Sequence, residues 1–280
     1  MRKIYSPHHG LYLPIGGRLV PKARPKLRFA DYIKDSASNI LPKAPDAVDY
    51  SVAAPGALEK VYLNDKLGCC VVAALCHARG VTSGNASGDP HGGGAVVFSN
   101  DDIEKMYTLF SGGVFNPADP ANTDQGCDES QALSLAQSVG FTDGVKLSGC
   151  IGVDGTNWEE VKLATYLFEC LMSGQGLPEP WVTPFPSPGA VWDVDGPAVP
   201  TNGHAVAYPG YTADGKLITV TWGFKMFETK AAIAAYATPA GGGELWAFLS
   251  PDIVARATGK APTGFDFEQL QADLAALPTA

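Results

Sequence analysis

The chain has 280 residues, 45% of them hydrophobic and 18% charged, with 32 Gly and 22 Pro. This composition excludes a mostly disordered chain, and no apolar run approaches the ~18 residues that a membrane span needs. The net charge of −9 is split: residues 1–43 hold nine Lys/Arg against Asp31 and Asp35, and the remainder holds 11 basic and 27 acidic residues, a balance that argues against nucleic-acid binding by the body.

Residues 1–60 read as a basic, Pro-rich arm. Prolines at 7, 14, 21, 25, 42, 45 and 55 interrupt short apolar pieces, and each removes a backbone donor and disfavours helix before it. Only Phe29–Ile33 hints at a helical turn. From Val61 the texture changes. Cys70–Ala78 is apolar almost all round, as expected of a buried helix opening after Gly68, and residues 81–95 read as an exposed Gly/Ser/Asn loop. Asp101–Phe110, Glu129–Val139 and Trp158–Met172 read as helices, the last capped by Asn157.

After Pro178 a long Pro/Gly-rich loop runs to residue 203. His204–Tyr208, Leu217–Trp222 and Leu245–Leu249 then read as strands, the first two joined by a turn at 212–216 into a hairpin. Residues 224–236 suggest a short helix. Phe267, Leu270, Leu274 and Leu277 share one face of an amphipathic tail helix. Helices first and antiparallel strands later predict an α+β fold, with an arm at 1–60, a domain at 61–255 and a tail at 256–280.

Six cysteines are few for this length and no secretory h-region opens the chain, so reduced thiols are expected. No Cys-x-x-Cys, paired His, phosphate loop or nucleotide fingerprint appears, so neither a metal nor a cofactor is expected.

The sharpest chemical signal is Cys70 at the start of a buried helix, with Gly203-His204-Ala205-Val206 at a strand start 134 residues later. A thiol at a helix N-terminus is biased toward thiolate, and an imidazole opposite it completes a nucleophile–base pair. Together with Asn64-x5-Cys70, Pro209-Gly210-Tyr211 and Thr221-Trp222-Gly223, these pieces resemble the papain-like cysteine peptidase superfamily over roughly residues 25–255. Within it they are similar to bacterial and phage proteins that combine a Pro-rich arm, Leu-Gly-Asp-Cys and Val-Thr-Trp-Gly. The resemblance implies a papain-like fold with the nucleophile helix in its first half, an antiparallel sheet in its second and an extended N-terminal arm. It also implies Cys70 as nucleophile, His204 as general base and acid, and Asn64 as oxyanion donor in place of the usual Gln. Gly68, Gly203 and Trp222 would be structural neighbours of the site.

Two positions depart from the pattern. Val220 stands where the family has Asn or Asp, and a valine cannot hold the imidazole. Thr219 and Thr221 point to the other strand face unless a bulge brings a hydroxyl across. Cys69 replaces the aspartate before the nucleophile. His77, about 10 Å along the helix from Cys70, reads as a core histidine; His8, His9 and His91 read as solvated. Asp128 reads as a helix cap beside Cys127, and Cys150 and Cys170 as core.

Two functions follow. One is a thiol hydrolase of peptide or amide bonds, with a peptide or protein as substrate; a transferase or amidase using the same dyad on a non-peptide substrate is a lesser variant. The other is a catalytically retired structural or interaction protein, such as a phage virion or decoration subunit, whose arm grips a protein partner or a second copy. A cytoplasmic or virion-associated location, with no membrane partner, suits both.

Overall fold

The computed structural model describes residues 1–21, 27–30, 42–89 and 91–260, and of residues 256–260 the backbone alone. The tail helix expected at 265–277 and most of the turn at Phe29–Ile33 lie outside the described residues.

The chain opens with a hairpin, β1 (Arg2–Ser6) against β2 (Leu11–Ile15). A two-residue strand, β3 (Arg18–Leu19), follows, and then β4 (Val48–Asp49). Helix α1 (Cys70–Ser87) is the spine of the molecule. Its first turns are apolar almost all round and its polar side chains His77 and Arg79 find partners, so it is buried from Cys70 to Gly84 rather than amphipathic. Residues 81–87, read above as an exposed loop, continue this helix. Gly80 and Gly84 are the reason: a Cβ at Gly84 would lie 2.1 Å from the Ala53 carbonyl oxygen, and one at Gly80 would lie 2.5 Å from the Ala57 Cβ. These glycines let the helix touch the backbone before it. The helix stops at Gly88, which takes the left-handed conformation at φ 71°.

Helix α2 (Asn100–Phe110) starts in a capping box of Ser99 and Asp102. After β5 (Cys127–Asp128), helix α3 (Glu129–Ser138) is capped by the Asp128 carboxylate, which accepts from Gln131 N–H. Strand β6 (Gly149–Gly152) leads to α4 (Trp158–Phe168), capped by Asn157 as expected. The helix ends four residues earlier than its apolar run suggests. Glu169 turns left-handed at φ 64°, and Leu171 and Met172 open strand β7 (Leu171–Gly176); short apolar runs suit either element.

In the second half, β8 (Val191–Trp192), β9 (Gly203–Tyr211), β10 (Lys216–Thr221), β11 (Phe224–Thr229) and β12 (Glu244–Leu249) complete the main sheet. The stretch 224–236 is therefore a strand followed by helix α5 (Lys230–Tyr236), not a helix alone. Helix α6 (Pro251–Lys260) closes the described chain. The strand order is β6-β12-β7-β9-β10-β11-β8, with β4 also on β9; β9 and β10 form the expected antiparallel hairpin.

Central strand β9 is buried along its whole length and divides two cores. Ala205 and Ala207 join α1, Val220, Met172 and Phe248 on one side. Val206 and Tyr208 join Trp222, Leu217, Met226 and α4 on the other. Leu13, Ile15 and Phe29 of the N-terminal segment belong to this second core and are fully buried. The arm therefore packs on its own body. No helix among the described residues is long and apolar enough to cross a membrane.

Candidate active site

Cys70 is the first residue of α1 and is 1% exposed. Its sulfur faces the backbone N–H groups of Val71, in the first turn, and of Ala205, on the neighbouring strand. Both favour thiolate, but burial outweighs them and pushes the thiol up to about 12. Cys69, the residue before it, donates its S–H to the Tyr62 carbonyl at 3.3 Å and is structural.

His204 lies next to Ala205 on β9 and is also 1% exposed. Its Nε2 meets the Thr221 hydroxyl at 2.6 Å. The strand pairing shifts between Ile218 and Val220, an irregularity of the kind a β-bulge introduces, and Thr221 reaches the ring from β10. Val220 points to the other side and is fully buried in the core that holds Cys70. Thr219 is buried too, and its hydroxyl is directed at the Leu217 carbonyl. Of the three candidate third members, the structure brings Thr221 to the histidine.

Trp222 follows directly, in the left-handed region at φ 48°, and Gly223 at φ 78°. This tight turn lays the indole over the imidazole, with ring centroids 4.1 Å apart and planes 15° apart. Phe185 and Trp192 wrap the indole in turn. Burial in this aromatic wall drives His204 down to about 3, so the ring is neutral at pH 7. Thiol and imidazole are thus both uncharged, and among the described residues no hydrogen bond joins them.

Asn64 is 2% exposed and follows Tyr62 and Leu63, two bulky residues in the left-handed region at φ 54° and 59°. Its backbone N–H donates to Val61 O at 3.1 Å, while its side chain makes no hydrogen bond among the described residues. Gly68 N–H is held by the Asp124 carboxylate at 3.0 Å, which also accepts the Tyr107 hydroxyl at 2.6 Å. That clamp fixes the approach to the helix start.

The chain's own arm packs against backbone close to Cys70 and His204. A Cβ at Gly17 would lie 2.4 Å from the Gly68 carbonyl oxygen, and a Cβ at Gly203 would lie 2.1 Å from the Arg18 carbonyl oxygen. The backbone of residues 16–18 therefore touches Gly68, two residues before Cys70, and Gly203, the residue before His204. Strand β3 runs parallel to β5, and Cys127 N–H donates to Gly17 O at 2.9 Å. Arg18 enters the interior beside Glu129 and Glu244. His9, expected in solvent, is half-buried; its Nε2–H donates to the Trp222 carbonyl at 2.9 Å and its Nδ1 meets Ser6 Oγ. His77 is a core histidine whose Nε2–H donates to Lys60 O.

The opposite charges of arm and body are consistent with docking, and Arg2 and Arg18 do meet Glu179 and Glu244. Gly16-Gly17, two residues without Cβ before Arg18, permit the close backbone approach. No group of three or more His, Cys, Asp or Glu able to hold a metal occurs among the described residues.

No protein-family model matches this sequence, and no curated protein does. Solved structures are similar to it. Xylellain, a cysteine protease from Xylella fastidiosa, aligns with a TM-score of 0.60 at 13% identity, covering 84% of this chain and 96% of that one. The proform of the ragweed pollen cysteine protease Amb a 11 gives 0.51 at 18% identity, over 81% of this chain and 65% of that one. ProCathepsin B S9 from Trypanosoma congolense gives 0.52 at 12% identity, over 84% and 86%. The chain has the papain-like α+β fold.

Proposed function

We propose that the chain is a papain-fold thiol hydrolase of peptide or amide bonds, held closed by its own N-terminal arm. The observation that carries this reading is the His204 ring, gripped at Nε2 by Thr221 and covered by Trp222, on the strand whose next N–H faces the Cys70 sulfur. Two of the similar structures are proforms, and in this chain the backbone of residues 16–18 abuts Gly68 and Gly203.

The chemistry follows once the arm withdraws. Water entering beside Cys70 and His204 removes the burial that holds both groups neutral, and the proton passes from Cys70 to His204. The thiolate attacks the substrate carbonyl. Cys70 N–H and the Asn64 amide hold the oxyanion, each such donor contributing roughly 3–4 kcal/mol. His204 then protonates the departing amine, leaving a thioester. The ring next takes a proton from water, whose oxygen displaces the sulfur and releases the acid. Thr221 orients the ring, as an amide would, but a hydroxyl both donates and accepts, so it fixes the tautomer less firmly than an amide oxygen.

The test, run on the arm-opened Gly17→Ala chain, is hydrolysis of an unfolded protein substrate, with iodoacetamide labelling of Cys70 followed across pH. Cys70→Ser is expected to abolish both; unchanged hydrolysis in that variant removes the hydrolase reading. A retired, structural role is favoured by one observation, the complete cover over both groups. It predicts that opening the arm yields no hydrolysis at all, and that the arm instead engages a protein partner or a second copy.

A further inference from the structure

His77 is a buried group that the proposed chemistry does not use, yet it faces the turn that carries Asn64. Its Nε2 meets the Lys60 carbonyl oxygen at 2.9 Å. A carbonyl only accepts, so the ring proton sits on Nε2, and burial keeps the ring neutral by pushing it down to about 4. Its Nδ1 has no hydrogen-bond partner among the described residues, so the ring's polar contact is directed at Lys60. The same imidazole lies against the Tyr62 ring, with centroids 5.0 Å apart. Cys69, just before the helix start, holds the Tyr62 carbonyl at 3.3 Å. Helix α1 and its cap thus grip the chain at residues 60 and 62 from two separate points.

The grip matters because the turn is strained. Tyr62 and Leu63 lie in the left-handed region at φ 54° and 59°, a costly conformation for bulky residues that persists only where neighbours hold it. The turn is closed by Asn64 N–H on Val61 O, and the N–H groups of Lys66 and Leu67 donate to Leu63 O. The segment before it abuts the turn that places Trp222 over His204. A Cβ at Gly223 would lie 2.8 Å from Glu59 O and 3.3 Å from the Lys60 carbonyl carbon. Asn64 itself is buried, and no hydrogen bond orients its side chain among the described residues, so the backbone decides where its amide reaches. Asparagine is one methylene shorter than the glutamine that the sequence resemblance expects, which leaves less reach to correct a displaced backbone.

We infer that His77 is a positioning residue for the oxyanion donor: through the Lys60 carbonyl and the Tyr62 ring it keeps residues 62 and 63 left-handed, and so sets the Asn64 amide for a tetrahedral intermediate on Cys70. The inference rests on the hydrolase reading for the role of Asn64, but the hold of His77 on the turn is tested without turnover.

The variants are made in the full chain. His77→Leu keeps the bulk and removes the donor, and His77→Gln offers an amide N–H near the place of Nε2. His77→Asn, whose amide stops short of Lys60 O, replaces His77→Leu if that variant does not fold. Hydrogen exchange on the otherwise wild-type chain reads the turn. In His77→Leu the Asn64 N–H should exchange at least tenfold faster while the N–H groups of β9 keep their rates. Unchanged exchange at Asn64, or an equal rise throughout β9, overturns the positioning role. In the arm-opened Gly17→Ala chain, p-nitrophenyl acetate reads the chemistry: the Cys70 sulfur displaces p-nitrophenolate through an oxyanion and keeps the acetyl group as a thioester. Iodoacetamide is the control, because sulfur displaces its iodide without forming an oxyanion. His77→Leu should slow acetylation at least tenfold and alkylation less than twofold, and His77→Gln should recover acetylation to within about threefold. In an Asn64→Ala background His77→Leu should add nothing. Slowing of both reactions alike, or slowing that persists without Asn64, overturns the role. A Cys70 that is alkylated but acetylated in no variant contradicts the hydrolase reading and with it the role of Asn64, and the exchange result alone then decides whether His77 holds the turn.

Discussion

At the residue scale, His204 and Thr221 set the chemistry. His204 is held neutral at about 3, whereas the unfolded chain protonates its histidines near 6.5. The unfolded state therefore binds the extra proton first, and stability present above pH 6.5 is lost as pH falls toward 3. Relative to His204→Asn, the wild type is expected to lose up to about 1.4 kcal/mol more per pH unit below 6.5. Urea unfolding at pH 6.5 and pH 4 reads this difference, and parallel pH slopes would contradict it. Removing the hydroxyl in Thr221→Val leaves a buried ring nitrogen without its partner at a cost of about 1–3 kcal/mol. In an arm-opened chain kcat/KM should fall roughly ten- to a hundredfold. Placing the amide that the sequence resemblance expects, Val220→Asn, is not expected to help. Val220 faces the α1 core and is fully buried, so the amide enters an apolar site and costs about 1–3 kcal/mol of stability. A Val220→Asn chain as stable and active as wild type would show that the alignment, not the observed strand register, describes the site.

At the scale of elements, the two glycines of α1 decide how closely the helix seats. Alanine is the better helix former by about 1 kcal/mol, yet Gly84→Ala places a methyl 2.1 Å from the Ala53 carbonyl oxygen. Overpacking against backbone costs about 1–3 kcal/mol, so a net loss of stability is expected in urea unfolding; a net gain would mean that the contact is loose. This contact also explains why the helix runs past residue 81. The Gly/Ser composition of 81–87 suits a loop, and only the approach of residues 53–57 makes it helix. Where local signals and packing agree, as in the caps at Asp128 and Asn157 and the β9–β10 hairpin, the elements were legible. The placement of Cys70 at a helix start and of His204 at a strand start is legible too, because both are local features. The choice of Thr221 over Thr219 and Val220 depends on an irregularity in strand pairing, which no residue type announces. The pairing of Arg18 with Glu129 and Glu244 spans more than a hundred residues of chain and leaves no periodicity.

At the scale of the whole molecule, the charge split becomes anatomy. Basic residues of the arm meet acidic residues of the body at two depths. Arg2 pairs with Glu179 at 2.5 Å with both side chains nearly half exposed, and such a pair contributes less than about 1 kcal/mol. Arg18 is buried. What anchors the arm is apolar burial: Leu13 and Ile15 sit in the second core with no exposed surface. Leu13→Ala should therefore loosen the arm, costing about 2–5 kcal/mol where the site does not collapse. Limited trypsin digestion should then cut after Arg18 much faster than in wild type or in Arg2→Ala; equal cutting in all three would show that the arm is not held by its core contacts.

The central claim is that a competent Cys70–His204 pair lies closed beneath the arm. Gly17→Ala tests it most directly, because its methyl would lie 2.4 Å from the Gly68 carbonyl oxygen and touches no residue assigned to the chemistry. Iodoacetamide labelling at pH 7, mapped by mass spectrometry, should modify Cys70 of the wild type no faster than buried Cys76. In Gly17→Ala it should modify Cys70 at least tenfold faster, with the gain lost on adding His204→Ala. Labelling of Cys70 that stays as slow as that of Cys76 once trypsin shows the arm released, or that ignores His204, would contradict the account.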